Sequence, residues 1–213
     1  MRRLLQAVLG RPEIYNLSQR VIGAARVRNQ CIAALDVRGG MRVLDVGCGP
    51  AYYFERLPAG VEYHGFDTAP HYLTWARKQC PAAHFHDGIY RETDRAALGP
   101  FDRVLLLGLL HHLDDDEAHQ LLDLVARSLT PNGRAVALDT TAGGEVSGLE
   151  SALARQDRGR FVRTAAAFRE LASAHFDDVT GQLVGAPPVP FPHWQMLLRS
   201  PLNPLYPQMD ASA

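Results

Sequence analysis

The most constraining feature of this sequence is the run Val43-Leu44-Asp45-Val46-Gly47-Cys48-Gly49-Pro50-Ala51. Residues 41–46 are a short, mostly apolar stretch that stops at two closely spaced glycines, which reads as a buried strand entering a tight loop. Glycine at 47 and 49 lets the backbone come close to a ligand and present amide N–H groups at the start of a following helix. Taken alone, this predicts a nucleotide-like ligand and nothing finer.

The chain then alternates. Residues 51–57 suit a short helix, 61–66 a strand, 70–80 a helix opened by Pro70, 83–86 a short strand, and 91–98 a small helix. Residues 101–107 are the most apolar strand. Residues 115–129 form a helix with acidic side chains at its positive end, closed by Pro131-Asn132-Gly133, and 134–139 a fifth strand. Alternation of this length predicts a parallel sheet with helices on both faces. Upstream, Ile14, Leu17, Val21, Ala25, Ile32 and Leu35 recur at helical steps, with a break expected near Gly23. Downstream, Val146, Leu149, Ala152 and Leu153 suggest another helix, and Thr164 caps one over 165–175. Residues 178–184 and 193–199 read as an antiparallel hairpin joined by a proline-rich loop, with a tail after 200.

Two nucleotide-binding classes are disfavoured by single positions. A dinucleotide fingerprint needs glycine at 52, which is Tyr52, and a P-loop needs Gly-Lys-Ser/Thr, which the chain lacks. The carboxylate of Asp45, two residues before Gly47, is unhelpful beside a pyrophosphate but favourable beside an ammonium group. Asp45-Val46-Gly47-Cys48-Gly49 resembles the first motif of the class I S-adenosylmethionine-dependent methyltransferases, and the resemblance extends over residues 37–200. Residues 61–67, ending in Asp67, resemble the second strand of that family. His86-Asp87-Gly88-Ile89 resembles the third-strand motif. Residues 107–113, with His111-His112-Leu113, resemble the segment after strand four in the small-molecule, quinone-biosynthesis type, and residues 129–134 the turn before strand five. Position 51 is alanine where a third glycine is frequent, and Gly108 stands where such relatives usually carry asparagine or another polar residue.

The resemblance implies a Rossmann-like, doubly wound, mostly parallel seven-stranded α/β sheet with an antiparallel C-terminal hairpin strand. It implies one domain over 1–213: a helical cap over 1–35, a cofactor-binding core over 36–140, and a cap helix, a helix and the hairpin over 141–213. S-adenosylmethionine is the implied cofactor. Asp45 holds the amino group of its methionine part, beside Gly47, Cys48 and Gly49. Asp67 accepts the ribose hydroxyls, Thr68 and Ala69 flank the adenine, and Asp87, with Gly88 and Ile89, takes the adenine amino group. Gly108 and Leu109 give backbone contacts beside the methionine. For each acid the plain alternative is a capping or turn role. His111 is the candidate general base for a protic acceptor, with loop anchoring as its alternative. No metal is expected, because His84, His86 and the other histidines lack ligand spacing.

The implied reaction is methyl transfer to a small-molecule acceptor by in-line displacement. An RNA or protein methyltransferase, or a catalytically silent S-adenosylmethionine-binding protein of the same fold, are the competing readings. The Asp/Asn-Pro-Pro-Tyr/Phe tetrapeptide of base-methylating enzymes is absent at 108–111. Lys+Arg is 22 against Asp+Glu 23, a net charge of -1, so no basic footprint for nucleic acid is present. Cys31, Cys48 and Cys80 are too few and too widely spaced for a disulfide framework, and the apolar runs fall short of the ~20 residues that span a bilayer. The expectation is a cytoplasmic protein with a small-molecule partner, no nucleic acid and no membrane. Acceptor choice is expected to come from the N-terminal helix, residues 142–160 and the proline-rich loop before Trp194.

Overall fold

The computed structural model describes residues 24–142, 160–185, 193–202 and 204–205. Seven strands form one sheet in the order β3-β2-β1-β4-β5-β7-β6. They are β1 Arg42–Val46, β2 Glu62–Asp67, β3 His84–Asp87, β4 Phe101–Leu107, β5 Leu129–Thr140, β6 Phe176–Val184 and β7 His193–Pro201. The first five run parallel, and β7 lies antiparallel to both β5 and β6. This is the doubly wound sheet with a terminal hairpin that the sequence predicts. The order reverses between β1 and β4, and in open α/β sheets that crevice receives ligands.

Strands β1 and β4 sit at the centre, so both their faces are covered. Leu44, Val104 and Leu106 face one core with Phe66, Leu110 and Leu122, while Val43, Leu105 and Leu107 face the other with Tyr63 and Leu73. Burying each such leucine or valine contributes about 1.5–3 kcal/mol, which is why these strands are mostly apolar around buried Asp45 and Arg103. The helices are α1 Ala24–Ala34, α2 Pro70–Gln79, α3 Glu92–Leu98, α4 Asp115–Ser128 and α5 Ala165–Ser173. Helix α4 opens with a reciprocal box between Asp114 and Glu117, and Thr164 caps α5 by accepting from the Ala167 amide. Buried Arg103 of β4 donates to the carbonyls of Leu35 and Asp36 just past α1, docking that helix on the sheet.

Two predicted elements differ. Residues 51–57 make only a three-residue 3-10 turn, Phe54–Arg56, because Ala51 takes φ +54° and ends any helix before it begins. The turn expected at Pro131-Asn132-Gly133 lies inside β5, whose register against β4 shifts between Phe101 and Arg103, so these residues form a bulge rather than a helix stop. The upstream part of the N-terminal helix, the helix expected near 146–153, the proline-rich loop over 186–192 and most of the tail lie outside the described residues. Among the described residues no helix is long and apolar enough to cross a membrane.

A histidine relay joins β2 to β3. Glu62 Oε1 accepts from His64 Nε2 at 2.9 Å, so neutral His64 offers its Nδ1 lone pair to the Nε2–H of His86 at 3.1 Å. His86 also stacks on Phe66, with ring centroids 4.4 Å apart. The pair tolerates one proton but not two, since two imidazoliums cannot share one hydrogen bond. Burial pushes both rings below their ordinary value of 6.5, with His84, Arg42 and Arg77 acting the same way and Glu62 and Asp94 opposing. Both folded values lie below the unfolded one. Their stabilisation is therefore complete above pH 6.5 and lost as pH falls below it. His175, bonded to His119 at 2.9 Å, shifts in the same direction. Thermal unfolding should thus drop in temperature between pH 7 and pH 5, about where histidine titrates. His86→Phe, which keeps the stack on Phe66, should flatten that slope; an unchanged slope would count against the relay.

Candidate functional site

The glycine loop is built by β2 as much as by its own sequence. The amides of Gly47 and Cys48 both donate to the Phe66 carbonyl, at 2.8 and 3.0 Å, and the Gly49 amide donates to Asp67 Oδ2 at 2.8 Å. The expectation that these amides point at a ligand from a helix start is therefore corrected. They are spent on β2, and no regular helix follows the loop. What the loop offers instead is open backbone: a Cβ at Gly49 or at Gly88 would meet nothing within 4 Å. Gly65 makes the loop's approach possible, since a Cβ there would stand 2.8 Å from Cys48 Sγ and 3.1 Å from Phe85. The Cys48 thiol is buried, and burial, with Asp45 and Asp67 nearby, pushes it far above the usual thiol range. It packs and does not react.

Position 51, a mild departure when read from sequence, is a conformational one. Ala51 adopts the left-handed region that glycine takes without penalty, at a cost of roughly 1–2 kcal/mol, partly offset by burying its methyl. Position 108 is the converse. Gly108 sits at φ +80° while its amide donates to Leu138, a conformation that glycine and asparagine share.

Asp67 ends β2. Its Oδ1 accepts from the Ala69 amide at 2.8 Å while Oδ2 holds Gly49. Each carboxylate oxygen keeps a second lone pair, so both remain able to accept from a pair of ribose hydroxyls. A cavity of about 590 Å³ opens beside it, lined among others by Val46, Gly47, Asp67, Thr68, Gly88, Ile89 and Leu109. Ile89 is 58% exposed, an apolar side chain with one face open over that cavity, opposite Leu109 and Leu113. The cavity continues between α3 and α4 past Tyr90, Gln120 and Leu124. Six predicted residues thus share one space: Gly47, Asp67, Thr68, Gly88, Ile89 and Leu109.

The other predicted residues stand outside that wall. Ala69 and Gly49 act through Asp67, as above. Asp45 is buried beneath the loop and accepts from the hydroxyl of fully buried Tyr63 at 2.7 Å. Burial first, and the Asp45 charge second, keep that phenol protonated. Asp87 directly precedes the lining residues Gly88 and Ile89, is exposed beside them, and is paired with Arg77 at 2.7 Å. His111 lies in a 3-10 turn, Leu110–His112, and is buried. Both its amide and its Nδ1 meet Asp139 Oδ1, at 3.1 and 2.7 Å. Asp139 Oδ2 is buried with no partner among the described residues. Among the described residues no cluster of His, Cys, Asp or Glu fits a metal ion.

Three residues escaped the sequence reading. Tyr63 bonds Asp45, Arg77 bonds Asp87 and Phe85, and Arg163 bonds Leu110 and Leu113 about fifty residues away, and none of these pairings is written in the local sequence. Only the helical spacing of Arg77 on α2, next to β3, carried any signal.

The fold and the site define a class. A parallel sheet reversing at β1/β4, a glycine loop after β1, an acid ending β2 and an open cavity between them are the arrangement shared with the methyltransferase fold. Residues 43–133 match the model of a family described as a methyltransferase domain. Trans-aconitate 2-methyltransferase of Methylobacterium nodulans is 33% identical over 112 residues, 48% of this chain and 39% of that protein. Methyltransferase GfsG of Streptomyces halstedii is 29% identical over 136 residues, 60% of this chain and 48% of that protein. The chain thus spans less than half the length of these curated relatives. Among solved structures, a Haloferax volcanii protein in complex with the Trm112 methyltransferase activator aligns at TM-score 0.66 and 18% identity, covering 92% of this chain and 96% of that one. Human N-acetylserotonin methyltransferase, solved with S-adenosylmethionine, aligns at TM-score 0.62 and 16% identity, covering 92% and 59%. At these identities the structures establish the fold.

Proposed function

We propose that the protein transfers a methyl group from S-adenosylmethionine to a small-molecule acceptor in the cytoplasm. The observation that carries this reading is the convergence of Gly47, Asp67, Thr68, Gly88, Ile89 and Leu109 on one cavity at the carboxyl ends of parallel strands. Their chemistry fits the nucleoside: a two-oxygen acceptor for a diol, and apolar faces for a base. Bound S-adenosylmethionine supplies an electrophilic methyl on a sulfonium. Asp67 binds and orients through the ribose, Ile89, Leu109 and Leu113 keep water from the base, and Asp45, held by Tyr63, sets negative charge beneath the loop. Fixing the donor in one pose is the main contribution such a site makes to an in-line displacement. Asp139 meets His111 Nδ1 at 2.7 Å and so fixes the ring that is the candidate general base for a protic acceptor. A small acceptor is supported by the near-neutral charge of -1 and by the name of the relative from Methylobacterium nodulans.

The test is a thermal shift with S-adenosylhomocysteine and with NAD. Saturation at a hundred times Kd should stabilise by about 2.7 kcal/mol for the first and leave the second without effect. S-adenosylhomocysteine release is then followed in metabolite, RNA and protein fractions. Product formed only with metabolites supports the reading; no shift, or product only with RNA or protein, overturns it.

A further inference from the structure

Asp67 and Asp87 are register partners at the carboxyl ends of neighbouring parallel strands, so their side chains leave the same face of the sheet. Like charges in that relation repel. Arg77, from the last turn of α2 above them, donates from Nη2 to Asp87 Oδ2 at 2.7 Å and to the Phe85 carbonyl at 3.1 Å. The other Asp87 oxygen makes no hydrogen bond among the described residues. The pair is 43% and 60% exposed, and such an ion pair adds little to folding. The same pair, once a bound base covers it from water, becomes a strong and directional contact.

We propose that Arg77 is a positioning residue for nucleoside recognition: it offsets the Asp67–Asp87 repulsion and fixes Asp87 so that its second oxygen meets the 6-amino group of adenine. The proposal rests on the methyltransferase reading above. It makes the site selective for a 6-aminopurine, because a 6-oxo group in that place sets an acceptor against an acceptor. With Arg77 absent, Asp87 turns away from Asp67 toward solvent and the selectivity goes with it.

The experiment is calorimetric titration of the full chain with S-adenosylhomocysteine and S-inosylhomocysteine, comparing wild type, Arg77→Met and Arg77→Lys. Wild type should prefer the adenine nucleoside by at least about tenfold. Arg77→Met should weaken S-adenosylhomocysteine by about tenfold and leave S-inosylhomocysteine within about twofold, with the unfolding temperature unchanged. Arg77→Lys, which restores the charge but not the fork, should recover part of the preference. If Arg77 merely pins α2 to Phe85, both nucleosides weaken equally and the unfolding temperature falls; either that result or an unchanged preference overturns the proposal. A wild-type protein that binds neither nucleoside overturns the methyltransferase reading and this proposal with it.

Discussion

Asp67→Ala should weaken S-adenosylhomocysteine binding by at least about a hundredfold. The carboxylate is asked to do two things at once. It holds the glycine loop through the Gly49 amide and the following turn through the Ala69 amide, and it offers its remaining lone pairs to the ribose. A hydrogen bond to a charged group contributes about 1.5–3 kcal/mol, so losing two to the diol costs roughly 3–6 kcal/mol, and each 1.4 kcal/mol is tenfold. Asp67→Asn keeps the shape and one carbonyl acceptor and should fall between the two. Calorimetry gives the affinities, and unfolding of the free proteins gives the separate cost to the loop, expected near 1 kcal/mol per amide bond lost. Wild-type affinity in the alanine variant would remove Asp67 from the site.

The parts of this molecule that were legible in its sequence are those governed by local rules. Central strands β1 and β4 announce themselves because both faces must be apolar, and α4 because Asp114 and Glu117 write its start into adjacent residues. The cavity wall contributed by β2 and β3 was legible for the same reason: Asp67, Gly88 and Ile89 are fixed by where those strands end. The parts that were not legible depend on distant partners. That the amides of 47–49 face β2 rather than solvent follows from the Phe66 carbonyl and Asp67, about a strand and a loop away. That Asp45 lies buried against Tyr63 follows from the β1–β2 register. The bulge in β5 looks like a helix stop because Pro, Asn and Gly serve both purposes. Arg163 gave no signal, since its partners are Leu110, Leu113 and Asp115, roughly fifty residues upstream.

That arginine carries the largest expected effect on stability. Arg163 sits just before α5 with its side chain 9% exposed. Nη1 donates to the Leu110 carbonyl and Nη2 to the Leu113 carbonyl, each at 2.8 Å, while Asp115 takes Nη2 and Nε. The 3-10 turn between those carbonyls carries His111, which Asp139 holds from β5, so the turn is clamped from two sides. Arg163→Met removes the guanidinium that lies 5.7 Å from the Phe168 ring centroid, leaves the Leu113 carbonyl without its arginine partner at about 1–3 kcal/mol, and leaves the Leu110 carbonyl with the Leu113 amide alone. Destabilisation of about 3 kcal/mol is expected, a fall of roughly 6–12 °C in a chain of this size. Arg163→Lys keeps the charge for Asp115 but cannot reach both carbonyls, so it should recover less than half. The turn also leads from Leu109 to Leu113, two walls of the cavity, so nucleoside affinity should fall in both variants even well below the unfolding temperature. An Arg163→Met protein that unfolds within about 2 °C of wild type would show that the clamp from Asp139 suffices alone. The turn, and with it the apolar wall over the base, would then be set by β4 and β5 rather than by the segment that returns across them.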